Sequence, residues 1–156
     1  MSNGGSYIKP AKSVNWGTPP EILERIYDGE ALRYKEYFDP CPFPNPDWNG
    51  LDVPWPNHVF INPPFKALKE WVTKCSQEHK IKEQTMDRHH FVLLMPARVD
   101  TKYFHEHVVP YADIEFIKGR LKFVDLDKSS ASPVNSPFPT ILCHYRNNTM
   151  KPGEQL

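Results

Sequence analysis

Phe91-Val92-Leu93-Leu94-Met95, closed at once by Pro96, constrains the fold of this chain more than any other segment. An unbroken apolar run leaves a strand no polar face, so it belongs inside a sheet covered on both sides. Val59-Phe60-Ile61 is a second such run, cut off by Asn62-Pro63-Pro64. Proline has no amide hydrogen to continue a ladder, so each run ends where the carboxyl end of a strand opens into a loop.

Around these runs the spacing turns helical. Thr18-Pro19-Pro20 followed by Ile22, Leu23, Ile26 and Leu32 predicts a helix over about 19–35, with Thr18 as its cap and proline in its first turn. Leu68, Trp71, Val72 and Cys75 share one face of a second helix, and Thr101 to Val109 predicts a third. Tyr37-Phe38 reads as a short strand end before a Pro-, Asn- and Asp-rich loop over 39–56. Ile114 to Ile117 and Arg120 to Phe123, with Lys118-Gly119 between them, predict two strands joined by a tight glycine turn. Phe138 to Tyr145 predicts a last strand after a Ser/Pro-rich loop. Strands alternating with helices and then gathering at the end predict an α/β layer fold. Ligands of such sheets bind at strand carboxyl ends, where both Asp39 and Asn62 fall.

Composition bounds the function. The 156 residues, 39% hydrophobic and 13% aromatic, suit one packed domain despite 17 prolines. Polar ends set its expected limits at 16–146, with tails over 1–15 and 147–156. Nineteen basic residues balance nineteen acidic ones, so any nucleic-acid surface is a local patch. Cys41, Cys75 and Cys143 form no C-x-x-C pair and read as reduced thiols of a cytosol-like compartment. No apolar run approaches the roughly 18 residues of a membrane span, and the start lacks a secretory apolar core, so a soluble intracellular chain is expected.

Asn62-Pro63-Pro64-Phe65 carries chemistry. The lone pair of an aromatic exocyclic amine is delocalised into the ring, and an enzyme that methylates it must localise that pair. The side-chain oxygen of Asn62 and the carbonyl of Pro63 can receive both amine protons and favour a pyramidal nitrogen. The prolines, Pro64 included, stiffen the loop beforehand, and Phe65 offers a face on which a flipped base stacks. The plainer reading is a proline turn that stops a strand, with Phe65 in the core.

Several segments in order resemble the small phage-type DNA N6-adenine methyltransferase (Dam-like) family. They are Trp16-Gly17-Thr18-Pro19, Phe38-Asp39-Pro40-Cys41, Gly50-Leu51 with Trp55, and Asn62 to Phe65, which looks like motif IV of amino methyltransferases. Pro96 to Thr101 with Tyr103-Phe104, Phe116 to Phe123, and Ser132 to Pro139 complete the set. The resemblance implies a compact, reduced Rossmann-like methyltransferase fold, a mixed sheet flanked by helices, that uses S-adenosylmethionine. It implies DNA as partner, a phage or prophage setting, and a host-intracellular location. It also implies that Trp16, Thr18, Pro19, Asp39, Pro40, Cys41 and Asn62 lie at the cofactor, Asp39 beside its ammonium. The chain departs from the common pattern in having Pro42-Phe43-Pro44 where a glycine-rich turn is usual. The interval from Asp39 to Asn62 is short, which leaves Asp52 as the candidate for the cofactor ribose. It has no room for a target-recognition domain, so specificity is expected to be low or borrowed from a partner subunit of a homo- or hetero-oligomer.

Lys66 and Lys69, just after the loop, and Arg98, Lys102, Lys118, Arg120 and Lys122 are candidate phosphate contacts if they share a face, and otherwise solvated charge. His89-His90 and His105 with His107 lack the spacing of a metal pair on one helix face and read as surface histidines, so no metal is expected. Cys41 reads as a buried small residue rather than a nucleophile. Adenine in RNA, cytosine N4, and a cofactor-free nucleic-acid-binding module remain as alternatives.

Overall fold

The two proline-stopped runs are neighbouring strands. A computed structural model describes residues 16–27, 37–42, 45–125 and 134–147. Within it β2 (His58–Ile61) and β3 (His90–Pro96) pair in parallel, Val59 beside Phe91 and Ile61 beside Leu93. Parallel partners need a long crossover, and α2 (Leu68–Thr85) supplies it, burying the expected Leu68, Trp71, Val72 and Cys75. β7 (Thr140–Arg146) runs antiparallel on the other side of β3, and β4 (Ala112–Phe116) antiparallel on β7, giving the order β2-β3-β7-β4. The third expected helix, α3 (Lys102–His107), lies between β3 and β4, and the hydroxyl of its cap Thr101 accepts the Phe104 N–H at 3.4 Å. Outside β2, Phe38 bridges Val59 in parallel, its N–H donating to the His58 carbonyl at 2.9 Å. Asp39 therefore leaves the sheet edge at the same end as Asn62.

Strand alternation divides the interior. Val59, Ile61, Phe91, Leu93, Met95, Ile141, Cys143 and Tyr145 pack under α2 and α3 with Trp71, Val72, Phe104 and Val108. Phe60, Val92, Leu94 and Leu142 face the other way, onto Ile22 of α1 (Pro20–Tyr27) and onto Leu121 and Phe123. That second cover is a small antiparallel sheet in which β5 (Lys122–Asp125) lies between β1 (Trp16–Gly17) and β6 (Val134–Asn135). Both faces of β3 are closed, as its apolar run requires.

The expected hairpin over 114–123 does not form. β4 pairs with β7, while β5 pairs with β1 and β6, so the turn at Gly119, with φ of 78°, passes the chain from one sheet to the other. Leu121 and Phe123 are drawn onto the sheet face that α2 and α3 leave open. Thr18 is not the cap of α1. The Pro19 carbonyl accepts the N–H groups of Ile22 and Leu23 at 3.0 and 3.3 Å, and α1 is described only to Tyr27, so 28–35 of the expected helix lies outside the described residues. His89 and His90 are buried rather than on the surface. Adjacent strand residues point to opposite faces, and here both faces are covered. His90 sits in a hydrogen-bonded row from the Tyr37 hydroxyl through His144 to Glu115, with spacings of 2.9, 2.9 and 3.0 Å. His105 is exposed and His107 half-buried.

The expected tails over 1–15 and 148–156 lie outside the described residues, whereas Asn147 is buried, its Oδ1 accepting the His89 N–H at 2.8 Å. No described helix is long and apolar enough to cross a membrane.

Candidate active site

Three of the candidate segments are joined by one chain of hydrogen bonds. The Asn62 Nδ2 donates to Thr18 Oγ1 at 2.8 Å, and the Asn62 carbonyl accepts the Cys41 thiol at 3.3 Å. The Cys41 N–H in turn donates to Asp39 Oδ1 at 3.0 Å. Residues from β1's end, the Phe38 bridge and β2's end are thus drawn to one edge of the sheet. Asn62 is 6% exposed, and its Oδ1 is buried with no hydrogen-bond partner among the described residues. Leaving such an acceptor unmade costs about 1–3 kcal/mol, so native structures hold few of them.

Pro63 and Pro64 are buried behind Asn62. The Pro64 carbonyl accepts the Ala67 N–H at 3.0 Å, which starts a short 3-10 turn, Phe65–Ala67, leading into α2. The Pro63 carbonyl takes no part in that turn. Phe65 is half-buried, its ring edge-on to Phe123 at 6.4 Å and tilted against Phe138 at 5.5 Å. It therefore shares the core contact of the plainer reading while remaining partly open to solvent. The Arg98 guanidinium lies 5.2 Å from the Phe138 ring, so this cation reaches the same aromatic group.

Asp39 keeps solvent contact, yet protein atoms crowd its carboxyl. That desolvation raises its pKa to about 6, against the lowering effect of the Cys41 N–H. Burial first, and then the neighbouring Asp39 charge, push the Cys41 thiol well above its ordinary range, which is the state of an inert buried residue. Where a glycine-rich turn was missing, Gly50 supplies a close approach from the far side of the loop. A Cβ on Gly50 would lie 1.9 Å from the Pro40 carbonyl oxygen. The Trp55 indole holds the Gly50 carbonyl at 2.9 Å, and Glu78 on α2 accepts the Trp55 N–H at 2.7 Å. In the sequence Gly50 stands out only as part of the Gly50-Leu51 segment, and a glycine in a loop otherwise stiffened by prolines is the local sign of such a close approach. Asp52 is exposed on the adjoining turn and is not part of the hydrogen-bonded chain.

The candidate cations stand on several elements. Lys66 is exposed directly after Phe65, whereas Lys69 lines a cavity of about 350 Å³ with Leu51, Thr73 and Gln77 on the flank of α2. Lys102 pairs with Glu106 at 3.7 Å on α3. Lys118, Arg120 and Lys122 are exposed along the turn and β5. Of Trp16, the backbone pairing with Asp125 is described and the side chain is not.

The family model for DNA N-6-adenine-methyltransferase (Dam) matches residues 8–151. The chain belongs to the Dam family. As a Dam-family enzyme it methylates adenine N6 in DNA, and the candidate segments from Trp16 to Tyr145 all fall inside the match. No curated protein and no solved structure gives a significant match.

Proposed function

We propose that Asn62 Oδ1 and the Pro63 carbonyl receive the two N6 protons of adenine, with Phe65 as the wall on which the base stacks. The buried, unpartnered Oδ1 carries this reading. Thr18 occupies the other end of the same amide, so the oxygen is left for a donor that the described residues do not provide. Because Oδ1 is shielded from solvent, a base reaches it only by displacing what covers it.

The methyl donor is S-adenosylmethionine, which supplies a methyl group on a positively charged sulfur. The residues present fit it in one respect: Asp39 keeps acceptor capacity toward solvent at the strand end, within one hydrogen-bonded chain of Asn62, and suits an ammonium group. Pro40 and Cys41, with Gly50 packed close to Pro40, are assigned the adjoining wall, and the family pattern assigns Trp16, Thr18 and Pro19, at β1 and just after it, to the same cofactor. Antiparallel β7 between β3 and β4, with the remaining strands parallel, supports the reduced Rossmann-like reading of the sheet.

As the new N–C bond forms, N6 gains positive charge and its protons become better donors. Acceptors at Asn62 and Pro63 then bind the transition state more strongly than the ground state, which is what accelerates the step. Neither an amide nor a peptide oxygen is basic enough to keep the extra proton, so it leaves to water. Arg98 and Lys66 are the cations best placed to meet the DNA backbone beside Phe65 and Phe138.

The test is transfer of labelled methyl from S-adenosylmethionine to DNA, followed by digestion to nucleosides. Asn62→Ala is expected to lower kcat by about 100-fold or more while the protein stays folded, with Asn62→Asp less impaired because it retains an oxygen. Equal activity in Asn62→Ala and the parent would overturn these roles.

A further inference from the structure

At the end of the sheet opposite Asn62, a second group of side chains converges that the transfer reaction does not use. His79 and Glu83 stand one turn apart on α2, and His89 lies just before β3. One donor atom from each residue lies within 4.8 Å of the other two. His79 and His89 are buried, with His79 Nδ1 2.8 Å from His89 Nε2, and Glu83 Oε1 is 3.9 Å from His79 Nε2. We propose that His79, Glu83 and His89 form a binding site for a divalent transition-metal ion of the zinc class, which clamps the end of α2 to the start of β3.

Proton accounting supports this. His89 Nδ1 lies 3.1 Å from the Asp87 carbonyl, which can only accept, so the proton of His89 sits on Nδ1 and its Nε2 carries a lone pair. The proton between the rings then belongs to His79 Nδ1, which leaves the Nε2 lone pair of His79 facing the Glu83 carboxylate. Glu83 Oε1 is buried with no hydrogen-bond partner among the described residues. Moving the His79 proton to Nε2, toward the carboxylate, relieves that clash and leaves the lone pairs of His79 Nδ1 and His89 Nε2 facing each other across 2.8 Å, where a cation can bridge them. In the ion-bound form His79 carries its proton on Nε2, both rings stay neutral, each turns a lone pair to the ion, and the carboxylate adds a third ligand.

Two imidazoles and a carboxylate, with a position left for water, are a set that zinc accepts at bonds of about 2.0–2.2 Å. The nitrogen pair must open by about half an ångström to reach tetrahedral spacing, a shift within reach of ring rotation. The surroundings are already built for a ligand role. The Asp87 carbonyl that orients His89 also accepts the Asn147 Nδ2 at 2.6 Å, and Asn147 Oδ1 holds the His89 N–H at 2.8 Å. Carbonyls that fix the far nitrogen of a histidine in this way are the usual outer shell of metal sites. The Glu83 side chain is 33% exposed and opens a path from solvent.

The test uses the full chain, stripped with a chelator and titrated with zinc against a chromophoric competitor, with thermal unfolding and the cobalt absorption spectrum as second readouts. One equivalent is expected to bind at micromolar metal and to raise Tm. Glu83→Gln and His89→Gln are expected to weaken binding at least about tenfold, whereas His105→Gln leaves it unchanged. Glu83 is partly exposed, so Glu83→Gln reads the site even if His89→Gln fails to fold. Absence of a stoichiometric equivalent, equal binding by Glu83→Gln, or a thiolate-to-cobalt band that points to the cysteines would each overturn the proposal.

Discussion

A single amide decides how the proposed base site works. The Thr18 hydroxyl takes the Nδ2 end of Asn62 and thereby leaves Oδ1 for the base in the proposed role. Thr18→Val removes that acceptor and lets the amide rotate, so kcat is expected to fall about tenfold, the worth of one net hydrogen bond. KM for DNA should be unaffected, and Thr18→Ser should recover activity. Steady-state kinetics on the two variants check this, and a loss confined to KM would contradict it. Asp39 sets a pH limit. Its raised pKa means that the carboxylate is present above about pH 6 and protonated below. Affinity for S-adenosylmethionine is therefore expected to decline as pH falls through about 6, where an ordinary aspartate would hold to about 4. Asp39→Asn should abolish that dependence along with most of the affinity, as read by calorimetric titration. For stability the sign is opposite. A group whose folded pKa is raised opposes folding once it ionises, so Asp39→Asn should not lower Tm at neutral pH.

At the scale of elements, the site depends on how loops are pressed against strand ends. Gly50 has no room for a methyl group, because the Pro40 carbonyl occupies the place where a Cβ would stand, whereas Gly119 has open space and only its φ of 78° against a side chain. Gly50→Ala is expected to cost about 1–3 kcal/mol through displacement of the Pro40–Cys41 backbone, and to weaken cofactor binding. Gly119→Ala should cost about 1 kcal/mol of backbone strain and leave cofactor binding alone. Thermal unfolding and titration of both variants would show whether that order holds. The elements themselves were largely legible in the sequence. The apolar runs and their prolines marked β2 and β3, and the helical spacing marked Leu68, Trp71, Val72 and Cys75 as a buried face, because both signals are local. The partners of 112–125 were not legible. Ile114 to Phe123 has a hairpin's spacing, yet two apolar surfaces elsewhere compete for its halves and separate them.

For the whole molecule, 19 basic and 19 acidic residues leave no net field to hold DNA, so the proposed binding surface is a local one, made by the few cations near the site. Each phosphate contact changes the slope of log K against log salt by about 0.9. Arg98→Ala is expected to weaken DNA binding and reduce that slope by about one contact, whereas Lys102→Ala, on the outer face of α3, should leave it unchanged; binding isotherms at several salt concentrations check both. The sequence by itself determined the α/β layering, the strand that ends at Asn62, and the ordered motifs that the family match then covered from 8 to 151. Those follow from local sterics and periodicity, which a linear reading contains. Only the tertiary structure decided that Thr18 holds the Asn62 amide rather than capping a helix, and that His89 and His90 are buried. It also decided that Asn62 Oδ1 is left without a partner among the described residues and that burial raises the pKa of Asp39 to about 6. Each of these depends on which distant segments meet and on how much water they exclude, and neither quantity exists until the chain has folded.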